Sequence, residues 1–253
     1  MPRSDQFQIF TPAEQESLRR GGSILRDCLK HVSALVRPGI TTQELDEEAE
    51  AFIRERGGEP AFLGYHGFTG TLCTSVNDEV VHGIPSVKKV LMDGDIVSLD
   101  CGVILDELYT DACVTVPVGT VPAEVQTFLA TTSDILERVV REVVKAGARV
   151  GDISGFIEQH IREAGYTPIP SLTGHGLGFS LHQFPDVPNV GTVGTGPVLP
   201  VGTMIAIEPI PAMGRGEVVT DDDNWTVRTK DGSLACHFEH SVLITEEGCE
   251  IIA

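Results

Sequence analysis

The feature that most constrains this chain is an internal repeat. Laying "VRPGITTQELDEEAEAFIRERGGEP", from Val36, over "VKAGARVGDISGFIEQHIREAGYTP", from Val144, matches Gly39 with Gly147, Glu50 with Glu158, Gly57 with Gly165 and Pro60 with Pro168. The offset is 108 residues throughout, and it also carries "GDIVSLD" (94–100) onto "GTMIAIE" (202–208). Both runs are glycine-led, rich in β-formers and closed by a carboxylate, so Asp100 pairs with Glu208. Further on, "YTDACVTV" and "HFEHSVLI" match as strands holding Asp111 and Glu239, after the second copy inserts about 20 residues around "RGEVVTDDDNWTVRTKDGS". Residue types that ligate cations are therefore duplicated with the fold.

Helices open each copy. "TPAE" offers Thr11 as an N-cap, Pro12 in the first turn and Glu14 to close a capping box, and "RPG" stops that helix near Pro38. A second helix is predicted in "TTQELDEEAEAFIRERGG", with Leu45, Ala49, Phe52 and Ile53 on one face and Gly57 ending it in a left-handed conformation. "PAEVQTFLATTSDILERVVREVVKAG" and "GDISGFIEQHIREAG" repeat the pair, the latter with Ile153, Phe156, Ile157 and Ile161 on its apolar side. A chain built twice from helices followed by strands predicts one α/β (α+β) domain over 1–253. Its pseudo-repeats, about 10–118 and 122–249, are expected to be related by a pseudo-twofold axis, with the sheets packed inside and the helices outside.

Composition narrows the partners. Thirty-seven acidic against 18 basic side chains give a formal charge of −19, which disfavours a nucleic-acid backbone or an anionic membrane and favours a cation. The six cysteines are scattered without a C-x-x-C pair, so neither a zinc ribbon nor a disulfide scaffold fits, and reduced thiols in a cytosol are expected. With no signal-peptide core and no apolar run near 18 residues, the expectation is a soluble intracellular protein.

Asp100 and Asp111 flank "CGVILDELYT", where Asp106 and Glu107 can form a hairpin turn that leaves both acids on one face. An isolated Asp more commonly makes a turn or strand-end hydrogen bond. Here, however, a carboxylate closes each apolar run, where burial is costly without a cation or donors, and few basic residues are nearby. If the repeat gathers Asp100, Asp111, Glu208 and Glu239 around one axis, they raise each other's pKa values and repel unless two divalent ions sit among them. His175, in "GHG", adds a neutral nitrogen donor, and its flanking glycines are expected to let the backbone approach the site. This five-ligand set suits Mn, Fe or Co and admits Zn. His182, and His82 in "NDEVVHGIP", are read as hydrogen-bonding or proton-handling groups beside the ions. His31, His66, His160, His237 and His240 are read as ordinary structural or surface histidines.

The constellation "SVNDEVVHGIP", "DGDIVSLDCG", "YTDACVTV", "GHGLGFSLH", "IAIEP" and "HFEHSVLIT" closely resembles the type I methionine aminopeptidases, from Phe10 to Ile252. The resemblance implies the pita-bread fold, with helices packed outside a curved antiparallel sheet, cytoplasmic removal of the initiator methionine when the second residue is small, and two divalent ions (Co, Mn, Fe or Zn). It further implies action on the N-terminal segments of nascent polypeptides, including those at the ribosome; a monomer is expected, and the acidic charge argues for no nucleic-acid or membrane partner. Carried over by position, Asp100 and Asp111 hold one ion, Asp111 and Glu239 bridge, and His175 and Glu208 complete the other. Glu208 then takes a proton from water, His182 supports the oxyanion and His82 contacts the amide-nitrogen side.

Tyr65, Cys73 and Trp225 match positions that line the methionine pocket in that family. Phe62 stands where many bacterial members have Cys, Phe68 where Tyr is frequent, Leu181 where Phe often precedes the second histidine, and Tyr109 where "HGD" is more usual. These departures are expected to change the pocket's shape and leave the metal chemistry intact. A short, bacterial-like form is expected. The rival readings are a proline-directed aminopeptidase or dipeptidase of the same fold, which usually carries an additional N-terminal domain, and a non-catalytic binding module, which usually has lost ligands and basic patches.

Overall fold

The capping boxes start the helices where the sequence puts them. In the computed structural model, which describes residues 6–253, α1 (Pro12–Leu35) begins after Thr11, whose Oγ1 accepts from the Glu14 N–H while the Glu14 carboxylate accepts from the Thr11 N–H. α2 (Thr42–Glu55) repeats the device with Thr41 and Glu44. Each cap is worth about 1 kcal/mol. Residues 1–5, included in the expected domain, lie outside the described residues.

The first half continues with β1 (Glu59–Pro60), β2 (Leu72–Val76), β3 (Glu79–Val81), β4 (Ile96–Leu105) and β5 (Leu108–Pro117). The second opens with α3 (Ala123–Glu142) and α4 (Val150–Glu163). It then runs through β6 (Thr167–Pro168), β7 (Thr173–Gly176), β8 (Gln183–Pro188), β9 (Met204–Ile207), β10 (Pro211–Ala212), β11 (Val218–Thr220), β12 (Val227–Thr229), β13 (His240–Ile244) and β14 (Cys249–Ile251).

The repeat is kept at the level of single hydrogen bonds. α2 and α4 sit 108 residues apart at both ends, as do β1 and β6. The Gly39 N–H donates to the Leu91 carbonyl at 2.8 Å and the Gly147 N–H to the Leu199 carbonyl at 2.9 Å, while Leu91 and Leu199 donate in return to Ile40 and Ala148. Gly57 and Gly165, past the ends of α2 and α4, have φ of 80° and 86°, the left-handed region that glycine enters without steric cost.

Every strand pairing among the described residues is antiparallel. The first half forms the sheet β1-β4-β2 with β5 on β4, and the second forms β14-β13-β9-β7-β8. Two small sheets, β10-β6 and β11-β12-β3, flank them. The helices lay apolar stripes on these sheets: Leu25, Leu45 and Ile53 join Leu99 and Val103 in one buried cluster, and Phe128, Ile153 and Ile157 join Ile205 and Val242 in another. Each such buried side chain contributes roughly 1.5–3 kcal/mol.

Two details place the site. Asp106 and Glu107, with φ of 51° and 65°, make the tight turn between β4 and β5 that their position suggests. Asp100 does not close its strand, as the apolar run implies; β4 continues five residues past it to Leu105. The roughly 20 inserted residues build the β11–β12 hairpin, which the first half holds through β3 and through Arg228. That guanidinium donates to Asp78 (2.9 Å), Glu79 (2.9 Å) and Asp221 (2.7 Å).

Candidate active site

In the β4–β5 ladder Asp100 lies opposite Cys113, and Gly102 opposite Asp111. Because alternate residues share a face, the two acids stand diagonally on the same side of the sheet. Gly102 must be glycine there, since a Cβ would come within 2.8 Å of Ala61 Cβ and of the Phe62 ring. From the second half, Glu208 follows β9 directly, and Glu239 precedes β13 in an extended segment that bridges Cys113. The Glu239 N–H donates to the Cys113 carbonyl at 3.0 Å, so the two halves meet along this seam.

The four carboxylates are thus gathered and buried, with exposures of 8% (Asp100), 4% (Asp111), 8% (Glu208) and 3% (Glu239). No Lys or Arg among the described residues pairs with them; their ion-pair neighbours are the imidazoles of His175 and His237. Asp100 Oδ1, Asp111 Oδ1 and Glu239 Oε1 have no hydrogen-bond partner. Burial first, then Glu239, pushes the Asp100 carboxyl up to about 7; burial, then Glu208, does the same to Glu239. Asp111 is raised well above the ordinary value by burial, Glu239, Asp100 and Glu208, and Glu208 is raised by burial. The mutual repulsion expected from sequence is present, with desolvation the larger cause.

Carboxylate oxygens left unpartnered in a dry site are what a divalent cation satisfies, and the donor chemistry fits one. Two donor groups meet at Glu239: Asp111–His175–Glu239 and Asp100–His237–Glu239, the ligand atoms of each lying within 4.8 Å of one another. His175 Nδ1 lies 3.1 Å from the Gly176 carbonyl; as donor there, it leaves the Nε2 lone pair for a cation. That Nε2 is 3.8 Å from Asp111 Oδ2 and 3.9 Å from Glu208 Oε1. The glycines around His175 serve the neighbouring strands rather than the site. A Cβ on Gly174 would meet the Ala206 carbonyl oxygen at 2.4 Å and one on Gly176 the Phe184 carbonyl oxygen at 2.1 Å, so β7 fits between β8 and β9 only without them.

His237 corrects the sequence reading. Taken there as an ordinary histidine, it is 3% exposed and sits among the acids, 3.3 Å from Glu208 Oε2 and 3.4 Å from Glu239 Oε2 through Nε2. The available signal was its spacing, two residues before Glu239 on an extended segment and so on the same face. His31, His160 and His240 do make ordinary structural contacts, with Glu48, with Arg138 and the Phe156 carbonyl, and with Glu137 and the Ala253 carbonyl. His66 is exposed against Tyr65.

Above the acids lies a cavity of about 280 Å³. Phe62, Tyr65, Phe68, Cys73, Leu181 and Trp225, the predicted pocket residues, all line it, together with His82 and His182. Sequence reasoning missed Val81, Ser171, Leu172, Thr173 and Ile210, ordinary side chains that only the fold brings here. Trp225, at the tip of the β11–β12 hairpin, is half-buried and meets Phe68 edge-on with ring centroids 5.1 Å apart. Tyr65 Oη lies 2.9 Å from His182 Nδ1, and the His175 and His182 rings are 4.3 Å apart. His82, held at φ 60°, is pushed down to about 4 by burial and by the neighbouring His237 and His182, so it is neutral at pH 7. Tyr109, another departure, is half-buried beside this apolar cluster and outside the cavity lining.

The model of metallopeptidase family M24 matches residues 16–246. The chain belongs to metallopeptidase family M24. It is 41% identical to a methionine aminopeptidase of Clostridium acetobutylicum over 96% of this chain and 97% of that one, and 40% identical to methionine aminopeptidase 1 of Bacillus subtilis over the same shares. A crystal structure of methionine aminopeptidase from Thermotoga maritima superposes with a TM-score of 0.96 at 40% identity, covering 98% of this chain and 99% of that one. The pita-bread fold implied by the sequence motifs is therefore the fold of this M24 chain. As a member of a metallopeptidase family it is a hydrolase that uses divalent metal.

Proposed function

We propose that this chain is a methionine aminopeptidase that removes the N-terminal methionine from polypeptides whose second residue is small. The carrying observation is a floor of buried, unpartnered carboxylate oxygens beneath an aromatic-lined cavity. The shared name of the relatives supports the same substrate. Methionine is flexible and polarizable, and Phe62, Tyr65, Phe68, Cys73, Leu181 and Trp225 offer it an apolar wall.

Asp100, Asp111, His175, Glu208 and Glu239 would hold the cations, with Glu239 common to both donor groups. When bound, such ions lower the pKa of water and polarise a carbonyl. Glu208 takes the proton from the attacking water. Where the Tyr65 hydroxyl donates to Nδ1, His182 carries its proton on Nε2, the form that donates to a developing oxyanion. Neutral His82 contacts the amide-nitrogen side of the scissile bond. The finer parts of this reading are two ions, drawn from Mn, Fe, Co or Zn; a cytoplasmic monomer formed as one domain; and nascent polypeptides as substrates, including those at the ribosome.

Supplied with divalent metal, the protein should release methionine from Met-Ala-Ser and leave Ala-Pro-Ala intact. Cleavage of only the second peptide would replace the substrate with a proline-directed one. No bound metal by elemental analysis and no activity on reconstitution would favour a binding module. Asp100→Asn should lose metal and activity together.

A further inference from the structure

Each of the donor groups that meet at Glu239 contains one imidazole, His175 beside Asp111 and His237 beside Asp100. Neither nitrogen of the His237 ring makes a directional hydrogen bond, although the residue is almost fully buried. Its backbone is clamped: the N–H donates to Thr115 Oγ1 at 2.9 Å, and the carbonyl accepts from the Thr115 hydroxyl at 2.7 Å and the Cys113 thiol at 3.4 Å. The ring is therefore held at the cavity floor with its Nε2 in ion-pair range of Glu208 and Glu239 and its Nδ1 without a hydrogen-bond partner.

The spacing around His237 Nε2 is also that of donors sharing one ion. Two donors about 2.1 Å from one small divalent ion, at angles of about 90–110°, stand about 3.0–3.4 Å apart. His237 Nε2 stands 3.3 Å from Glu208 Oε2 and 3.4 Å from Glu239 Oε2. We propose that His237 is a sixth cation ligand, giving the position at Asp100 and Glu239 a nitrogen donor of its own. This rests on the two-ion reading above and adds a residue to its five side chains. With one imidazole on each position, the site shifts towards ions that favour nitrogen, such as Co, Fe and Zn, and away from Mn.

The test is a Co(II) titration of the metal-free full chain, followed by calorimetry and by proton NMR. The parent should take two ions and show two exchangeable, paramagnetically shifted imidazole N–H signals. His237→Gln, similar in reach and still carrying an N–H donor, should lose one signal and bind one ion about tenfold or more weakly, the other unchanged. His175→Gln should lose the other signal and keep that of His237. Unchanged signals and affinities in His237→Gln would overturn the proposal, and so would a His175→Gln spectrum with no shifted N–H left, which decides the matter even if His237→Gln folds poorly. A parent that takes up no cobalt would overturn the two-ion reading itself.

Discussion

The two halves place their acids by different means. In the first, Asp100 and Asp111 project from the interior of two ten-residue strands joined by a tight turn. In the second, Glu208 lies just beyond the four-residue β9 and Glu239 just before the five-residue β13. The half with continuous strands uses the shorter acid, and the half whose strands stop short uses the longer one. The duplication thus keeps a carboxylate at each matched position while the acid and the strand that carries it differ.

The sharpest way to break this equivalence is to neutralise the matched pair. Asp111→Asn and Glu239→Gln should each lower kcat/KM on Met-Ala-Ser by about 10³-fold or more and reduce bound metal by elemental analysis. If one variant retains parental activity, the halves are not equivalent at the site.

A smaller effect comes from protons. In the metal-free protein Asp100 and Glu239 titrate near 7, and Asp111 and Glu208 are also raised, so the folded state binds more protons than the unfolded chain. The stability they supply is complete below the unfolded carboxyl value of about 4 and is lost as pH rises towards about 7, by up to about 1.4 kcal/mol per pH unit for each proton of difference. Asp46, raised to about 6, works in the same sense, while His82, lowered to about 4, and the lowered carboxyls of Glu14, Glu44 and Asp231 work in the opposite one. The melting temperature of metal-free protein should fall from pH 4 to pH 7, and the double variant Asp100→Asn/Glu239→Gln should flatten that slope. A parental slope in the double variant would sink this account.

The smallest effect probes the scaffold. Gly57→Ala and Gly165→Ala introduce a Cβ into open space at positive φ, so strain alone acts, and each should cost about 1 kcal/mol by urea denaturation. Unequal costs would show that the helix ends are matched in shape and not in energy.

Much of the fold was legible because a repeat doubles every signal. Gly39 and Gly147, or Pro60 and Pro168, mean little singly and a great deal at one fixed offset. The same logic hid His237, whose counterpart in the first half is Tyr109, so a search for chemistry shared by both copies passes over it. Asp46 was hidden for another reason. It lies on the predicted apolar side of α2, yet it is buried and accepts from the Thr71 and Leu72 N–H groups at 2.7 and 2.8 Å, tying that helix to the start of β2. Such a bond joins segments that no local pattern relates. The walls at Ser171, Leu172, Thr173 and Ile210 were invisible because such common residue types carry no distinguishing pattern in sequence.

The seam between β5 and residues 237–239 has a temporal consequence. Thr115 and His237 are 122 residues apart in sequence, so their pairing closes a long loop that spans both halves. Contacts of that kind form late, after local helices and hairpins have reduced the entropy of closure. A partly synthesised chain ending before this segment presents Asp100 and Asp111 without Glu239, so the buried carboxylates come together only once the molecule's own synthesis has passed that residue.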